Sequence, residues 1–362
     1  MSLKMKSRFA WVAAALLLPA ALSFMIYAQR PEPKTPFINY LASAKPIRLN
    51  RENIPTFVVK PAPLSEDEAM RLAERITSFA KVDLVRTKEP GERLDGRLLF
   101  ANPKDPSATL DINLRNGDFL FNQGTAAYSK EEETKGLPSE EEAGRLAARH
   151  LERLNMLPPR SELVVAHVGG LSLGVHREDG STSLYRKQVN VRYDRTLADL
   201  PVFGDSRVVV RMGEGGDLVG LIRRWSAVDG RKARPDELQT DAAIERAVRD
   251  RLLTEGRTAT SIVVKYTDLV LYDHGNGVIE PAIHVVASRI FEVNIVNGPT
   301  VGEVRRIEVP YDTFIPVLKN HRGDYPFMRD PEAVKYIKSD KPVQLLEREV
   351  AQPESNANVR TP

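Results

Sequence analysis

The stretch SEDEAMRLAER, residues 65–75, returns lightly edited as SEEEAGRLAAR at residues 139–149. Self-similarity of this kind within 362 residues indicates a tandem of related structural units. In each copy Ser-x-x-Glu has the spacing of a capping box, in which the serine hydroxyl accepts from the backbone N–H of the glutamate. The acids of the first turn also suit the positive end of the helix dipole. We therefore predict that a helix begins at Ser65 and another at Ser139.

Apolar residues follow both caps at helical spacing, so each predicted helix has one narrow apolar stripe and one charged face. A third, weaker copy begins at Thr240-Asp241. The stripes comprise Ala69, Leu72, Ala73, Ile76 and Phe79 in the first helix, Ala143, Leu146, Ala147, Leu151 and Leu154 in the second, and Ile244, Ala247, Val248 and Leu252 in the third. This pattern is typical of a helix that packs on a sheet.

Strand-like runs joined by short turns follow each helix. Asn116-Gly117 lies between two such runs, which is a strong hairpin signal. A glycine-rich turn at residues 213–217 joins two more. Short turns between successive strands favour antiparallel meanders. The predicted fold class is therefore α+β, built from tandem units of one helix packed on an antiparallel β-meander.

The amino terminus has the pattern of an export signal. Lys4, Lys6 and Arg8 precede an uncharged apolar run over residues 9–28. The run is long enough to span a bilayer, and Ile26-Tyr27-Ala28 is a poor cleavage site, so both a cleaved signal peptide and a retained anchor stay open. We expect an exported chain, periplasmic or otherwise extracytoplasmic, in the second case anchored to the inner membrane through residues 9–28.

Composition excludes several classes of site. The chain has no cysteine, hence no disulfide, no catalytic thiol and no cysteine-based zinc site. Its formal charge of +3 comes from the three basic residues of the amino terminus, and the other charges are mixed in sign, so a nucleic-acid partner is not expected. The six histidines show no metal-ligand spacing. We predict neither a metal nor a cofactor.

The expected division of the chain follows from these patterns. It comprises a signal peptide or membrane anchor (1–28), a Pro-rich linker (29–63), a first α+β unit (64–134), a second (137–229), a third (235–325) and a disordered tail (341–362).

One segment of the second unit resembles a known protein family. Arg192-Tyr193 is followed by Leu200-Pro201-Val202-Phe203-Gly204, by Arg207-Val208-Val209-Val210 and by Gly216-Asp217-Leu218-Val219. This order resembles the propeptide modules of secreted thermolysin-like metalloproteases, namely the fungalysin/thermolysin propeptide motif and its PepSY neighbour. Asp205 stands where that family usually has a second glycine. The third unit resembles the PepSY unit that follows, and the resemblance implies a PepSY/cystatin-like plan.

The chain has no His-Glu-x-x-His, the helical spacing that holds zinc in such proteases. The resemblance therefore implies a propeptide-like chain without a protease, which inhibits, assists the folding of, or binds a partner protein. We expect a non-catalytic module that binds a protein or peptide of the cell envelope, with a metalloprotease as one candidate partner. Tyr193, Pro201, Phe203 and Trp225 are the candidate contact residues. The simpler interpretation is core packing for the three aromatic residues and, for Leu200–Gly204, a strand corner in which Pro201 fixes φ.

Two alternatives stay open. Gly170-Leu171-Ser172-Leu173-Gly174 matches the Gly-x-Ser-x-Gly of a nucleophile elbow, so a serine hydrolase that uses Ser172 is the second hypothesis. The residues after it predict a strand end and a turn rather than the helix that an elbow requires. The third hypothesis is a membrane-anchored structural component of an envelope assembly.

Overall fold

The computed structural model describes residues 35–44, 46–87, 96–123, 128–294 and 304–322. Across these residues, fourteen strands join into a single mixed sheet. The predicted signal peptide or anchor, the whole predicted tail and the start of the linker lie outside the described residues. Within them, no helix has the length and apolar character needed to cross a membrane.

The elements follow in chain order. The strands are β1 (Phe37–Tyr40), β2 (Pro55–Lys60), β3 (Val85–Arg86), β4 (Arg97–Ala101), β5 (Ala108–Asn113), β6 (Phe119–Gln123), β7 (Leu163–His176), β8 (Thr182–Leu197), β9 (Leu200–Met212), β10 (Leu218–Arg224), β11 (Ala227–Lys232), β12 (Ser261–Asp273), β13 (Val278–Asn294) and β14 (Val304–Pro316). The helices are α1 (Glu66–Ala80), α2 (Glu140–Arg153) and α3 (Asp241–Glu255).

The helices begin where the capping signals predict. Ser65 and Ser139 each form a complete capping box, with the hydroxyl accepting from the N–H of the third helical residue and that residue's carboxylate accepting in return. The Thr240 side chain caps α3 by accepting from the N–H of Ala243 at 3.2 Å. Each predicted apolar stripe faces the interior, and the central residues of the three stripes, Ala73, Ala147 and Val248, are buried.

The main path through the sheet runs in the order β11, β2, β13, β12, β9, β10, β6, β5, β4, β3. Off this path, β1 pairs with β12, β14 with β13, β7 with β8, and β8 also with β9. Most pairs are antiparallel, but β1 and β9 both run parallel to β12. The predicted hairpin at Asn116-Gly117 joins β5 to β6, and Gly117 has a φ of 74°.

The predicted fold class is wrong in its plan of separate tandem units. Strand β10 pairs with β6 over Gly220–Arg223, which joins the strands of the first expected unit to those of the second. One hydrophobic core then contains buried residues of both α1 and α2, whereas α3 covers a second core with β12, β13 and β14. An open meander leaves unpaired backbone N–H and C=O groups at its edges. Here the edge strands of successive meanders pair with one another, so these groups form hydrogen bonds.

Two strands also lie within the expected Pro-rich linker. Strand β2 pairs with β11 over its full length and with β13 at Val58 and Phe57. Its run Thr56-Phe57-Val58-Val59 is β-branched and aromatic, which favours a strand despite the prolines on either side.

Candidate functional site

Strand β7 is a long edge of the sheet. It has 14 residues and pairs antiparallel with β8, from Leu163 opposite Arg195 to His176 opposite Thr182. No other described strand pairs with it. Since alternate residues of an edge strand direct their N–H and C=O groups away from their partner, about half of the residues of β7 offer backbone hydrogen bonds to an incoming chain.

The edge lacks the charges that usually protect such a strand. The sequence of β7, LVVAHVGGLSLGVH, contains no Asp, Glu, Lys, Arg or Pro. In contrast, the edge strand β14 contains Arg305, Arg306 and Glu308, and β11 contains Asp229, Arg231 and Lys232. Edges β1 and β3 have only four and two residues. Among the described edges, β7 alone is both long and uncharged.

Apolar side chains of the β7–β8 hairpin are exposed to solvent. Val164, Val165 and Leu171 of β7 are 49%, 53% and 42% exposed, and Leu184 of β8 is 67% exposed. The three β7 side chains therefore present apolar surface along a strand whose outer edge no described strand covers. The outer part of the hairpin also leaves the sheet, because β9 pairs with β8 only from Val189 onward.

The chain covers the opposite side of this hairpin itself. The backbone N–H of Thr134 donates to the carbonyl of Arg186 at 3.0 Å, and its hydroxyl donates to the carbonyl of Lys187 at 2.9 Å. The Tyr128 hydroxyl donates to Oε1 of Gln188 at 2.8 Å. Residues 128–134 therefore occupy the edge of β8 that β9 leaves open, whereas no described segment occupies the edge of β7.

A buried lysine fixes this covering segment. Lys187 is 1% exposed, and its ammonium donates to the backbone carbonyls of Lys130, at 2.5 Å, and of Glu132. It also lies 5.8 Å from the centre of the Tyr185 ring. A buried ammonium is costly unless its donors are satisfied, so these contacts hold residues 128–134 on β8.

Two of the four candidate contact residues belong to the first core. Tyr193 is 2% exposed, and its hydroxyl donates to the carbonyl of Gly144 in α2 at 3.3 Å. Trp225 is 7% exposed, and its ring lies 5.0 Å from the guanidinium carbon of Arg195. That arginine is itself buried and paired with Glu162, at 2.6 Å between Nη2 and Oε2. Both aromatic side chains are turned inward and offer little surface to a partner.

The other two lie at the start of β9. Pro201 is exposed beside the tight turn that joins β8 to β9. Phe203 is half-buried and packs on the rings of His284, at 4.6 Å, and Phe314, at 5.2 Å. The structure therefore brings the four candidate residues to three different places rather than to one surface.

The Leu200–Gly204 segment has a definite structural role. Residues 203–206 bulge away from β8, since Arg195 pairs with Val202 and the preceding Asp194 pairs with Arg207. Within this bulge, Phe203 and Gly204 pair instead with Tyr272 and Asp273 of β12. The segment is thus the junction at which the part of the sheet over α1 and α2 meets the part over α3.

Two contacts fix the junction. Gly204 has a φ of 95°, and a Cβ there would lie 2.1 Å from the carbonyl oxygen of Asp273. The Ser206 hydroxyl donates to the buried Asp273 carboxylate at 2.5 Å. Only glycine permits this approach of one backbone to another.

A partly buried carboxyl lies near the junction. Burial, and secondarily the carboxylate of Asp205, raises the pKa of Asp118 to about 6. The guanidinium groups of Arg224 and Arg223 oppose that rise, as does a hydrogen bond from the backbone of Trp225.

Ser172 lies inside β7, opposite Arg186, with an exposed side chain. The strand continues past it to His176, so the sharp turn and following helix of a nucleophile elbow do not follow it. Within the described residues, no hydrogen bond joins Ser172 to a histidine, and no group of three His, Asp or Glu side chains is arranged to hold a metal ion.

Strand β7 continues past Val168 through three glycines to His176. Glycines at 169, 170 and 174 disfavour a strand by propensity, whereas pairing with β8 overrides that preference. The signal that identifies the edge is the absence of charge over all 14 residues.

Comparisons with known proteins assign this chain to no family. No protein-family model matches the chain, and no curated protein matches it in sequence. One similar solved structure is that of an uncharacterized protein from Eubacterium rectale. It is 14% identical, the match covers 75% of this chain and 86% of that one, and the TM-score is 0.41.

Proposed function

We propose that this chain is a non-catalytic binding module that receives an extended segment of a partner protein as an additional strand along β7. The single observation that carries the proposal is a 14-residue edge strand without a charged residue and with one open side. Strand addition takes its affinity from main-chain hydrogen bonds and its selectivity from alternate side chains.

The exposed side chains of the edge define the chemistry of the partner. Val165 and Leu171 would pack against apolar residues of the incoming strand, so we expect a segment rich in Val, Ile and Leu and without charge. Charged residues flank β7, with Arg160 and Glu162 before it and Arg177 and Glu178 after it. They limit the uncharged contact to the length of β7. This limit favours a segment of roughly ten residues.

The expected location of the partner follows from the amino-terminal sequence. The basic start and apolar run of residues 9–28 favour export, and a protein of the cell envelope is therefore the proposed partner. A metalloprotease remains one candidate, on the resemblance of residues 192–219 to propeptide modules.

The test is selection of random 12-residue peptides from a phage library on the full chain, followed by titration of the selected peptides. We expect Leu171→Lys to weaken their binding at least about tenfold, because a lysine on an edge strand opposes strand pairing. Leu184→Lys is the matched control, since it places the same charge on β8, which is not the strand that would pair with the incoming segment.

Backbone methylation tests the mode of binding directly. N-methylation at every second residue of a selected peptide should abolish binding in one register and leave it largely intact in the other, because only one edge of the added strand faces β7. Equal losses for Leu171→Lys and Leu184→Lys, or equal tolerance of both methylation patterns, would contradict the proposal.

A further inference from the structure

A second site lies away from β7, beside α3. A groove of about 570 Å³ runs between the chain that follows β1 and the amino-terminal half of α3. This size is within the range of small-molecule sites in proteins. Its lining comprises Tyr40, Ala44, Pro46, Ile47, Ala242, Glu245, Arg246, Val248, Arg249 and Thr267.

The floor of the groove is mostly apolar. Ile47 and Val248 are 7% and 2% exposed and both belong to the core that α3 covers. Ala44 packs on the same core from the side of the groove. Since the two buried side chains expose little surface, a ligand with an apolar body would bury hydrocarbon mainly against Ala44, Pro46 and Ala242, which line the groove and are half-buried or exposed.

The rim of the groove is basic. Arg246 and Arg249 lie one turn apart on α3, and neither guanidinium forms a hydrogen bond or an ion pair with another residue that the structure describes. Glu245, which also lines the groove, faces Arg48 instead, at 3.8 Å. Among the residues that line the groove, two guanidinium groups face one carboxylate, so the rim carries a net positive charge.

A hydroxyl group lies opposite the arginines. Burial raises the pKa of Tyr40, although the charge of Arg249 opposes the rise, so the hydroxyl stays protonated at neutral pH. A phenol and two guanidinium groups are together a set of donors for an anionic oxygen.

We infer that this groove binds an anionic amphiphile, an acyl chain that ends in a carboxylate or a phosphate. The acyl chain would lie on Ala44, Pro46 and Ala242, above the buried Ile47 and Val248. The anionic group would accept from Arg246, Arg249 and the Tyr40 hydroxyl. Guanidinium groups match both carboxylate and phosphate geometry, so both head groups share this chemistry. The inference does not rest on strand addition at β7, which uses other residues.

The experiment is a fluorescence titration of the delipidated full chain with 11-(dansylamino)undecanoic acid. We expect saturable binding of one probe per chain. Arg246→Gln combined with Arg249→Gln should weaken it at least about tenfold. Arg257→Gln is the matched control, because this arginine is exposed just beyond α3 and outside the groove, and it should leave binding unchanged.

Two further measurements separate the groove from general apolar binding. Ala242→Trp fills the groove and should abolish binding, whereas the methyl ester of the probe, which lacks the charge, should bind the wild type about as weakly as the acid binds the double arginine variant. Competition by dodecanoate and by dodecyl phosphate then distinguishes a fatty acid from a phospholipid-type head group. Absence of saturable binding, or binding unaffected by Ala242→Trp or by the arginine changes, would overturn the inference.

Discussion

Gly204 shows how much one residue decides at the junction of the sheet. Its φ of 95° and its approach to the Asp273 carbonyl leave no room for a side chain. We predict that Gly204→Ala lowers the free energy of unfolding by about 2–4 kcal/mol, because β9 must move away from β12. Urea denaturation followed by circular dichroism measures this loss.

Gly174→Ala is the control for that substitution. Gly174 lies in β7 with nothing within 4 Å of its added Cβ and without a positive φ. We expect its substitution to change stability by no more than about 0.5 kcal/mol. Similar losses of unfolding free energy in the two variants would mean that the close approach of Gly204 to the Asp273 carbonyl does not determine the stability of the junction.

Asp118 gives stability a pH dependence. Its folded pKa of about 6 lies above that of an unfolded aspartate, so the folded state binds the proton more tightly. The stabilisation is present below about pH 4 and is lost as the pH rises to about 6. Its size is about 1 kcal/mol, because the carboxyl is only partly buried.

We predict that Asp118→Asn removes this loss, so that the variant gains stability relative to the wild type between pH 4 and pH 7. The amide can still accept from the backbone of Trp225. Loss of the hydrogen bond from Asn116, which is 2.7 Å long in the wild type, costs the same stability at both pH values and therefore does not affect the comparison. Chemical denaturation at both pH values measures the difference. Parallel wild-type and variant curves would rule out Asp118 as the source.

Contacts between residues close in sequence are predicted well, whereas contacts between residues distant in sequence are not. The spacing of Ser65 and Glu68 predicts the start of α1, because both partners of the capping box lie within one turn. The segment with Gly204 is predicted only as a corner, because the carbonyl it approaches lies 69 residues further along the chain. The same holds for the candidate residue Trp225, whose buried partner Arg195 is on another strand.

At the scale of elements, the hairpin β7–β8 has two different edges. The chain covers the β8 edge with residues 128–134 and leaves the β7 edge open. The sequence predicts strand-like runs after the second helix, but it does not reveal which edge is covered, since the covering segment is held largely by side-chain contacts to the backbone. Lys187 makes two of these contacts.

We predict that Lys187→Met releases the covering segment and costs about 1–3 kcal/mol, because two carbonyls lose their donor. Hydrogen exchange of residues 128–134 should accelerate in the variant. Lys130→Met is the control, since the exposed Lys130 ammonium forms only a 3.8 Å contact with Glu132 and the carbonyl that accepts from Lys187 is retained. Equal exchange in wild type and Lys187→Met would show that other contacts hold the segment.

At the scale of the whole molecule, the repeat in the sequence predicts the helices but not how their strands combine. Each copy is followed by antiparallel strands, as expected, yet β6 and β10 join across more than 90 residues and β9 joins β12. Register and partner choice between distant edges depend on which edges remain unpaired after local folding. No pattern within a single repeat carries that information.

The joined sheet leads to a prediction about cooperativity. The core under α3 contains Ile244, which is fully buried, whereas Trp225 lies in the other core. We predict that Ile244→Ala costs about 2–5 kcal/mol and shifts the fluorescence transition of Trp225 as far as the circular dichroism transition. The measurement uses a Trp11→Phe background, which leaves Trp225 as the only tryptophan.

Arg257→Gln is the control for this change, since its exposed side chain contributes little to either core. A Trp225 transition that stays in place while the circular dichroism transition splits would show that the two cores unfold separately. The pairing at residues 202–204 would then be too short to couple them.

An uncharged strand whose outer edge no described strand covers also affects how the protein behaves in concentrated solution. Two molecules that meet along β7 satisfy each other's backbone groups, and nothing in its sequence repels the second copy. We therefore expect the isolated chain to aggregate as its concentration rises, and a bound partner segment to act as its solubiliser. Synthesis of this chain in excess of its proposed partner would therefore increase the fraction that aggregates.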